Sequence, residues 1–344
     1  MSRTLTLAAI RMDASPAPTV SRLERAEKLV AQAAAQGAEI AVLPELFNTG
    51  YEYHDRNYEL AEPLEGQTVA WLKSAARRRN LHLAGTLLLR EPDGIYNAML
   101  LVAPDGKTWR YDKSYPWCWE RAYFRPRQHA IAPAETELGK IGMLICWDVG
   151  HANLWAAYAG KVDLMLVSSC PPLEHQITYT FPDGKSVDPA GLGPIMKAIY
   201  RNGDKIFGEF FSAQSAWLGV PAVNTTGGGK FRSLWPRPLL SFAMSLAARP
   251  DLWKYIPQAG QIYGEAGYFD ETFILNAQGQ VLNRTQLDGD DVAAAQVELA
   301  QETPVPQAAQ PKIDLSPLTY WADGFANAML VNYYNQRWQK PRRA

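Results

Sequence analysis

The chain has 344 residues, of which 47% are hydrophobic and 20% charged, with a formal net charge of -1. A chain of this size buries a sizeable core, and so balanced a charge excludes the basic surface of a nucleic-acid binder, leaving a small molecule as the expected partner. Cys118, Cys146 and Cys170 are odd in number and widely spaced, which argues against a disulfide framework or a CxxC zinc site and for a reducing, cytoplasmic setting without a metal or other cofactor.

Residues 5–10 predict a strand, 19–36 an amphipathic helix closed by Gly37, and 40–43 a short apolar strand, together a β-α-β opening. The leading residues carry neither a basic flank nor a long apolar run, so no secretory signal is expected. A helix over 67–79 and a strand over 81–89 follow. The turn Pro92-Asp93-Gly94, a strand over 96–102 and the turn Pro104-Asp105-Gly106 suit hairpins, which predicts a mixed sheet. Apolar runs at 141–146 and 162–167 flank a helical segment over 151–159, a second β-α-β unit. A strand ending at Asn224 comes next, then a hairpin of 272–275 with 281–286 through Asn276-Ala277-Gln278-Gly279, and a last strand over 292–299.

Two stretches interrupt this alternation. Residues 171–215, rich in Pro, Gly and aromatics, and residues 227–266, opening with Gly227-Gly228-Gly229, have the length of lids or binding loops. With no linker-like composition and no repeat, one domain over 1–300 is expected, followed by an extension over 301–344. The aromatic tail of that extension, 320–338, with Arg337, Lys340, Arg342 and Arg343 near its end, reads as a docked helix or a subunit arm. No stretch reaches the ~18 consecutive apolar residues of a membrane span.

Three residues stand out for their placement. Cys146 ends the apolar run Gly142-Met143-Leu144-Ile145, where a strand-to-helix junction exposes a side chain beside free backbone N–H groups. Taken alone, a buried inert cysteine explains it as well. A thiol needs a base, and Glu45 occupies a like position after Val42-Leu43-Pro44, with Pro44 ending the ladder; a solvated turn glutamate is the ordinary reading. Lys113 follows a third short strand and offers a cation for a developing oxyanion. Glu120 adds a further carboxylate within the aromatic loop Glu120-Arg121-Ala122-Tyr123-Phe124-Arg125-Pro126. His151 suggests a Cys-His pair but sits so near Cys146 in sequence that a helix-start role fits better. Cys170 ends another strand and is a candidate to line the same site; Cys118, in the aromatic loop, is expected to be partly buried, and neither has an obvious base.

These motifs, in this order, resemble the nitrilase superfamily of carbon–nitrogen hydrolases. The resemblance rests on Leu43-Pro44-Glu45 with Asn48-Thr49-Gly50-Tyr51, on Lys113, on Glu120 with Arg121, Tyr123, Phe124 and Pro126, and on Gly142 through Asp148. Val162-Asp163-Leu164 with Ser168-Ser169, Asn224-Thr225-Thr226-Gly227 and the 276–281 hairpin extend it from about residue 5 to residue 300. It implies an α/β fold, a four-layer αββα sandwich with mixed sheets. It also implies a metal-free triad of Glu45, Lys113 and Cys146, with the Trp147 N–H beside Lys113 at the oxyanion and Glu120 positioning the triad or substrate. Tyr51 and Cys170 join the substrate-positioning group, and a homodimer or higher homo-oligomer is implied. Two departures, Ala152-Asn153 where many members carry Pro-Glu and Arg127 where a glycine is usual, suggest rebuilt substrate loops.

Within the family, Cys146-Trp147-Asp148 differs from the Cys-Trp-Glu of true nitrilases, which favours an amide or N-carbamoyl amide over a nitrile. Acyl transfer to another nucleophile and a catalytically inactive sandwich acting as a binding module are the alternatives. The aromatic residues around the motifs, Tyr115, Trp117, Trp119, Tyr123, Phe124, Trp147 and Trp155, suggest a bulky or aryl-bearing substrate, though a core role explains them equally.

Overall fold

The structure, a computed structural model, describes residues 3–127, 131–188, 198–247 and 249–339, so Lys340, Arg342 and Arg343 lie outside the described residues. The first sheet runs through β1 (Arg3–Asp13), β2 (Ile40–Val42), β3 (His82–Glu91), β4 (Gly94–Val102) and β5 (Thr108–Asp112). β6 (Ala134–Thr136), β7 (Gly139–Ile145) and β8 (Leu164–Ser168) begin the second. Further along come β9 (Thr178–Thr180), β10 (Ser186–Val187), β11 (Ala222–Thr225), β12 (Gly227–Gly228), β13 (Lys230–Leu234) and β14 (Tyr263–Gly267). β15 (Phe273–Leu275), β16 (Val281–Arg284) and β17 (Asp291–Leu299) complete the set. The second sheet has the order β16-β15-β11-β8-β7-β6, and β12 and β17 both join β1 in the first. Parallel pairs (β1 with β2, β2 with β3, β7 with β8, β8 with β11) coexist with antiparallel hairpins, so both sheets are mixed.

Why the strands read as unbroken apolar runs is clear from β1. Leu5, Leu7 and Ala9 face the second sheet, while Ala8, Ile10 and Met12 face the helices Thr19–Ala35 and Gln67–Arg79. A strand covered on both faces has no polar side to alternate with. On the far side of the second sheet, the helices Ala152–Tyr158 and Phe211–Leu218 supply Trp155, Tyr158 and Phe211 to the same core as Phe273. The result is the expected helix-sheet-sheet-helix order.

The two stretches expected as lids or binding loops contain short strands. Pieces of both pair into a third, antiparallel sheet of order β10-β9-β14-β13, with Tyr179 opposite Gly264 and Phe231 opposite Ala266. Gly227-Gly228 is not the start of a loop: it pairs in parallel with Met12-Asp13 of β1. Glycine is required there by close approach. A side-chain carbon on Gly228 would stand 2.7 Å from the Gly289 backbone, and one on Gly227 would stand 2.3 Å from the Cys170 sulfur. Backbone cannot yield as a flexible side chain can, so Gly228→Ala is expected to lower the free energy of unfolding by about 1–3 kcal/mol. Urea denaturation reads this as a lowered midpoint, and an unchanged midpoint would reject the close approach.

Candidate active site

Four strand ends converge between the two sheets. Past the end of β2, the Leu43 carbonyl accepts from Ser168 Oγ at 2.8 Å and Thr225 Oγ1 at 3.4 Å, bonds that tie the first sheet to the second. The Glu45 N–H donates to the Ser169 carbonyl at 3.2 Å, and that of Leu46 to Thr86 Oγ1 at 2.7 Å. Leu46 itself takes a left-handed backbone, φ 52°, so the chain turns sharply after Glu45 and leaves its carboxylate in the interior.

Lys113 leaves the end of β5 fully buried, its Nζ 2.7 Å from Glu45 Oε1 and 2.7 Å from Glu120 Oε2. Each carboxylate is held from other directions. Glu45 Oε1 accepts from Asn97 Nδ2 at 2.7 Å and Oε2 from the Cys170 N–H at 3.1 Å; Glu120 accepts from the Tyr51 hydroxyl at 2.8 Å and the Trp117 N–H at 2.6 Å. Burial opposes the ammonium charge of Lys113, but Glu120 and Glu45 more than offset it and raise its pKa well above the usual lysine range. Burial likewise raises Glu120, with Lys113 pulling the other way.

Cys146 begins a short helical turn, Cys146–Gly150, directly after β7, and holds φ 48°. A left-handed cysteine costs of order 1–3 kcal/mol and persists only where its surroundings impose it. Here Asp148 imposes it. Its carboxylate accepts from the Ile145 N–H at 3.2 Å, the Tyr115 N–H at 2.8 Å and the Tyr111 hydroxyl at 2.8 Å, joining the elbow to the segment that follows Lys113. Asp148 therefore faces the scaffold and not the cleft, so its identity cannot separate amide from nitrile substrates in the way the sequence reading assumed. Burial, with the Glu45 carboxylate nearby, raises the Cys146 thiol well above its usual pKa, only partly countered by Lys113.

Cys146 opens on a cavity of about 70 Å³, lined also by Tyr51, Trp147, Pro172 and Phe207. Trp147 packs edge-on against Trp117 at 4.5 Å, and its buried indole N–H has no partner among the described residues. A second, larger chamber of about 310 Å³ adjoins this cavity, sharing Trp117, Glu174, Ile199 and Tyr200 with it. The expectation that aromatics line the site holds for Trp117, Trp119 and Trp147, whereas Trp155 is core and Tyr115 stacks on His151 at 3.6 Å.

Two expectations, for Cys170 and Cys118, change with the structure. Cys170 does not line the cleft: its side chain is fully buried beside Gly227, and what it contributes is its backbone N–H to Glu45. Cys118 is buried outright, 5% exposed, rather than partly buried. His151 precedes the first residue of the helix Ala152–Tyr158, the helix-start position expected of it, and stands in the stack of Tyr115, Trp147 and Tyr320, where burial pushes its pKa down to about 4. Asn97 is a residue the sequence reading passed over, although a lone amide inside the apolar run 95–102 was a visible signal. Among the described residues, no cluster of three or more His, Cys, Asp or Glu is placed to hold a metal.

The C-terminal helices Pro317–Phe325 and Asn327–Gln339 dock against this region. Asp323 takes the Cys118 N–H at 2.8 Å and both terminal nitrogens of Arg121 at 2.7 Å, fixing the short turn that carries Glu120. Thr319 reaches the Cys146 cavity, and Trp321 and Phe325 wall the larger chamber. Arg127 lies elsewhere, over the Tyr96 ring with Glu91 and Asp112 as partners. Among the described residues no helix is long and apolar enough to cross a membrane.

Comparison with known proteins agrees with this architecture. The chain is similar to a nitrilase from Pyrococcus abyssi, 33% identical over 36% of this chain and 48% of that one. It is similar also to an omega-amidase from Danio rerio, 33% identical over 42% and 56% respectively, so it spans about half the length of these curated relatives. In structure it resembles a mutant amidase from Nesterenkonia sp. AN1 whose active-site cysteine carries the Michael adduct of acrylamide, with a TM-score of 0.60, 17% identity, and 87% and 94% of the two chains covered. That likeness is one of fold. The profile of a family described as carbon-nitrogen hydrolase matches residues 6–307, and the chain belongs to that family.

Proposed function

We propose that the protein hydrolyses the carbon–nitrogen bond of a small amide or N-carbamoyl amide, with Cys146 as nucleophile, Glu45 as general base and Lys113 at the oxyanion. The observation that carries this reading is the buried lysine held between two carboxylates beside a cysteine in a strained elbow that opens on a cavity. The raised pKa of Cys146 means that the resting residue is a thiol, so its attack needs a base in place. Glu45 accepts the Sγ proton as sulfur bonds to the carbonyl carbon. The carbonyl π electrons move to oxygen, where Lys113 and the Trp147 N–H stabilise the charge. When the tetrahedral species collapses, the C–N bond breaks, the nitrogen takes the proton from Glu45, and ammonia or an amine leaves a thioester on Cys146. Glu45 then takes a proton from water as its oxygen attacks the thioester, and the departing sulfur recovers that proton. Glu120 and Tyr51 act as positioning residues, through Lys113.

Nitrile hydrolysis is the second reading, supported by the likeness to the Pyrococcus abyssi nitrilase. Ammonia release from amides, N-carbamoyl compounds and nitriles, with Cys146→Ala as blank, separates the two. Cys146→Ala and Glu45→Gln are each expected to lower amide turnover by ~10³-fold or more. His151→Ala should stay within about tenfold of the parent; loss of activity there together with survival of Glu45→Gln would transfer the base to the histidine.

A pH profile follows from the two raised pKa values. Lys113 keeps its proton and Cys146 remains a thiol well above neutrality, so kcat/KM on a neutral amide is expected to be flat from about pH 7.5 to about pH 9. A steady rise across that interval, measured in stopped ammonia assays, would mean that a free thiolate attacks and that Glu45 is not the base.

A further inference from the structure

Three carboxylates lie close enough to influence one another around Trp117: Glu120, Asp323 and Glu174. Glu120 is paired with Lys113, and Asp323 with Arg121. Glu174 has no cationic partner among the described residues; its one side-chain bond is from Trp117 Nε1 to Oε1, at 2.8 Å. Nor does a lysine or arginine lie among the described residues that line either cavity, and His175, on the wall of the smaller one, is engaged by Gln176 at 3.0 Å. The accessible part of Glu174 faces both cavities, at the boundary between the nucleophile and the larger chamber. Around it the chamber presents the rings of Trp117, Trp119, Tyr179, Tyr200 and Trp321.

A carboxylate deep in a protein is costly unless a cation or several donors compensate it. The buried carboxylates near this site, Glu45, Glu120, Asp148 and Asp323, have such compensation, whereas the half-buried Glu174 borders empty space walled by aromatic residues, whose rings attract cations themselves. We propose that the larger chamber receives an organic cation, the alkyl-ammonium end of the substrate, with Glu174 as its counter-ion and the aromatic rings as its walls. This rests on the amide-hydrolase reading for the other end of the same molecule, which would lie at Cys146. Burial already holds Glu174 up at about 7, and an ammonium group drawn into the chamber would stabilise its charged form.

The experiment compares ω-amino amides of increasing chain length, each beside the neutral amide that carries methyl in place of ammonium. At the best length the parent enzyme is expected to prefer the cation by at least ~10-fold in kcat/KM, mainly through KM. Glu174→Gln retains an acceptor for the Trp117 indole and should bring that ratio to about one. Preference for the neutral amide at every length, or a ratio unchanged in Glu174→Gln, overturns the proposal; the parent series decides alone should the variant not fold. Calorimetry of alkyl-ammonium chlorides with the Cys146→Ala protein keeps the two readings apart. Binding of these salts without turnover of any amide rejects amide hydrolysis and retains the chamber. Turnover of neutral amides without cation preference or binding does the reverse.

Discussion

Everything at the centre of this protein depends on one buried ammonium shared by two carboxylates. Taking three charges out of water is expensive, and the mutual attraction of Lys113, Glu45 and Glu120 repays that cost only if the remaining lone pairs are also satisfied. They are, by Asn97, the Cys170 N–H, the Tyr51 hydroxyl and the Trp117 N–H. Those donors come from β4, the end of β8, the loop after Glu45 and the turn before Glu120, so the cluster binds together segments of both sheets. Loss of the lysine would leave two carboxylates facing each other without a cation, an arrangement that low-dielectric surroundings penalise by several kcal/mol. The cluster is therefore a keystone of the inter-sheet packing, whatever its part in the proposed chemistry.

A second constraint is geometric. Cys146 is held in a backbone conformation it would not choose, and Asp148 supplies the restraint by gathering donors from the elbow and from the segment after Lys113. One carboxylate thereby ties the Cys146 elbow to the segment that follows Lys113. A strained backbone requires a rigid surrounding to hold it, and here buried hydrogen bonds to Asp148 supply it together with the hydrophobic core around Ile145 and Trp147.

How much of this was legible in the sequence depends on the range of the interactions involved. Most strands of the two main sheets were, because burial on both faces makes them apolar runs bounded by turns, and so were the positions of Glu45, Lys113 and Cys146, each at the end of one; the short edge strands β6 and β12 were not. The third sheet was not: β9 and β14 are 3 and 5 residues long and lie far apart in the chain, so neither carries a periodic signal by itself. Cys170 was misjudged because its contribution is a backbone N–H, which no side-chain pattern reveals. The task of Asp148 in holding the elbow was not readable, because a motif gives the order of residues and not the direction in which a carboxylate points. Asn97 was readable on physical grounds alone, since a lone amide in an apolar strand must find a partner.

The family profile ends at residue 307, yet Thr319, Trp321 and Phe325 beyond it form part of the cavity walls. The cavity walls thus combine residues inside the family's span with residues from the helices beyond it. Substitutions at Trp321 or Phe325 therefore reshape the larger chamber directly, whereas one at Asp323 reaches the turn that carries Glu120.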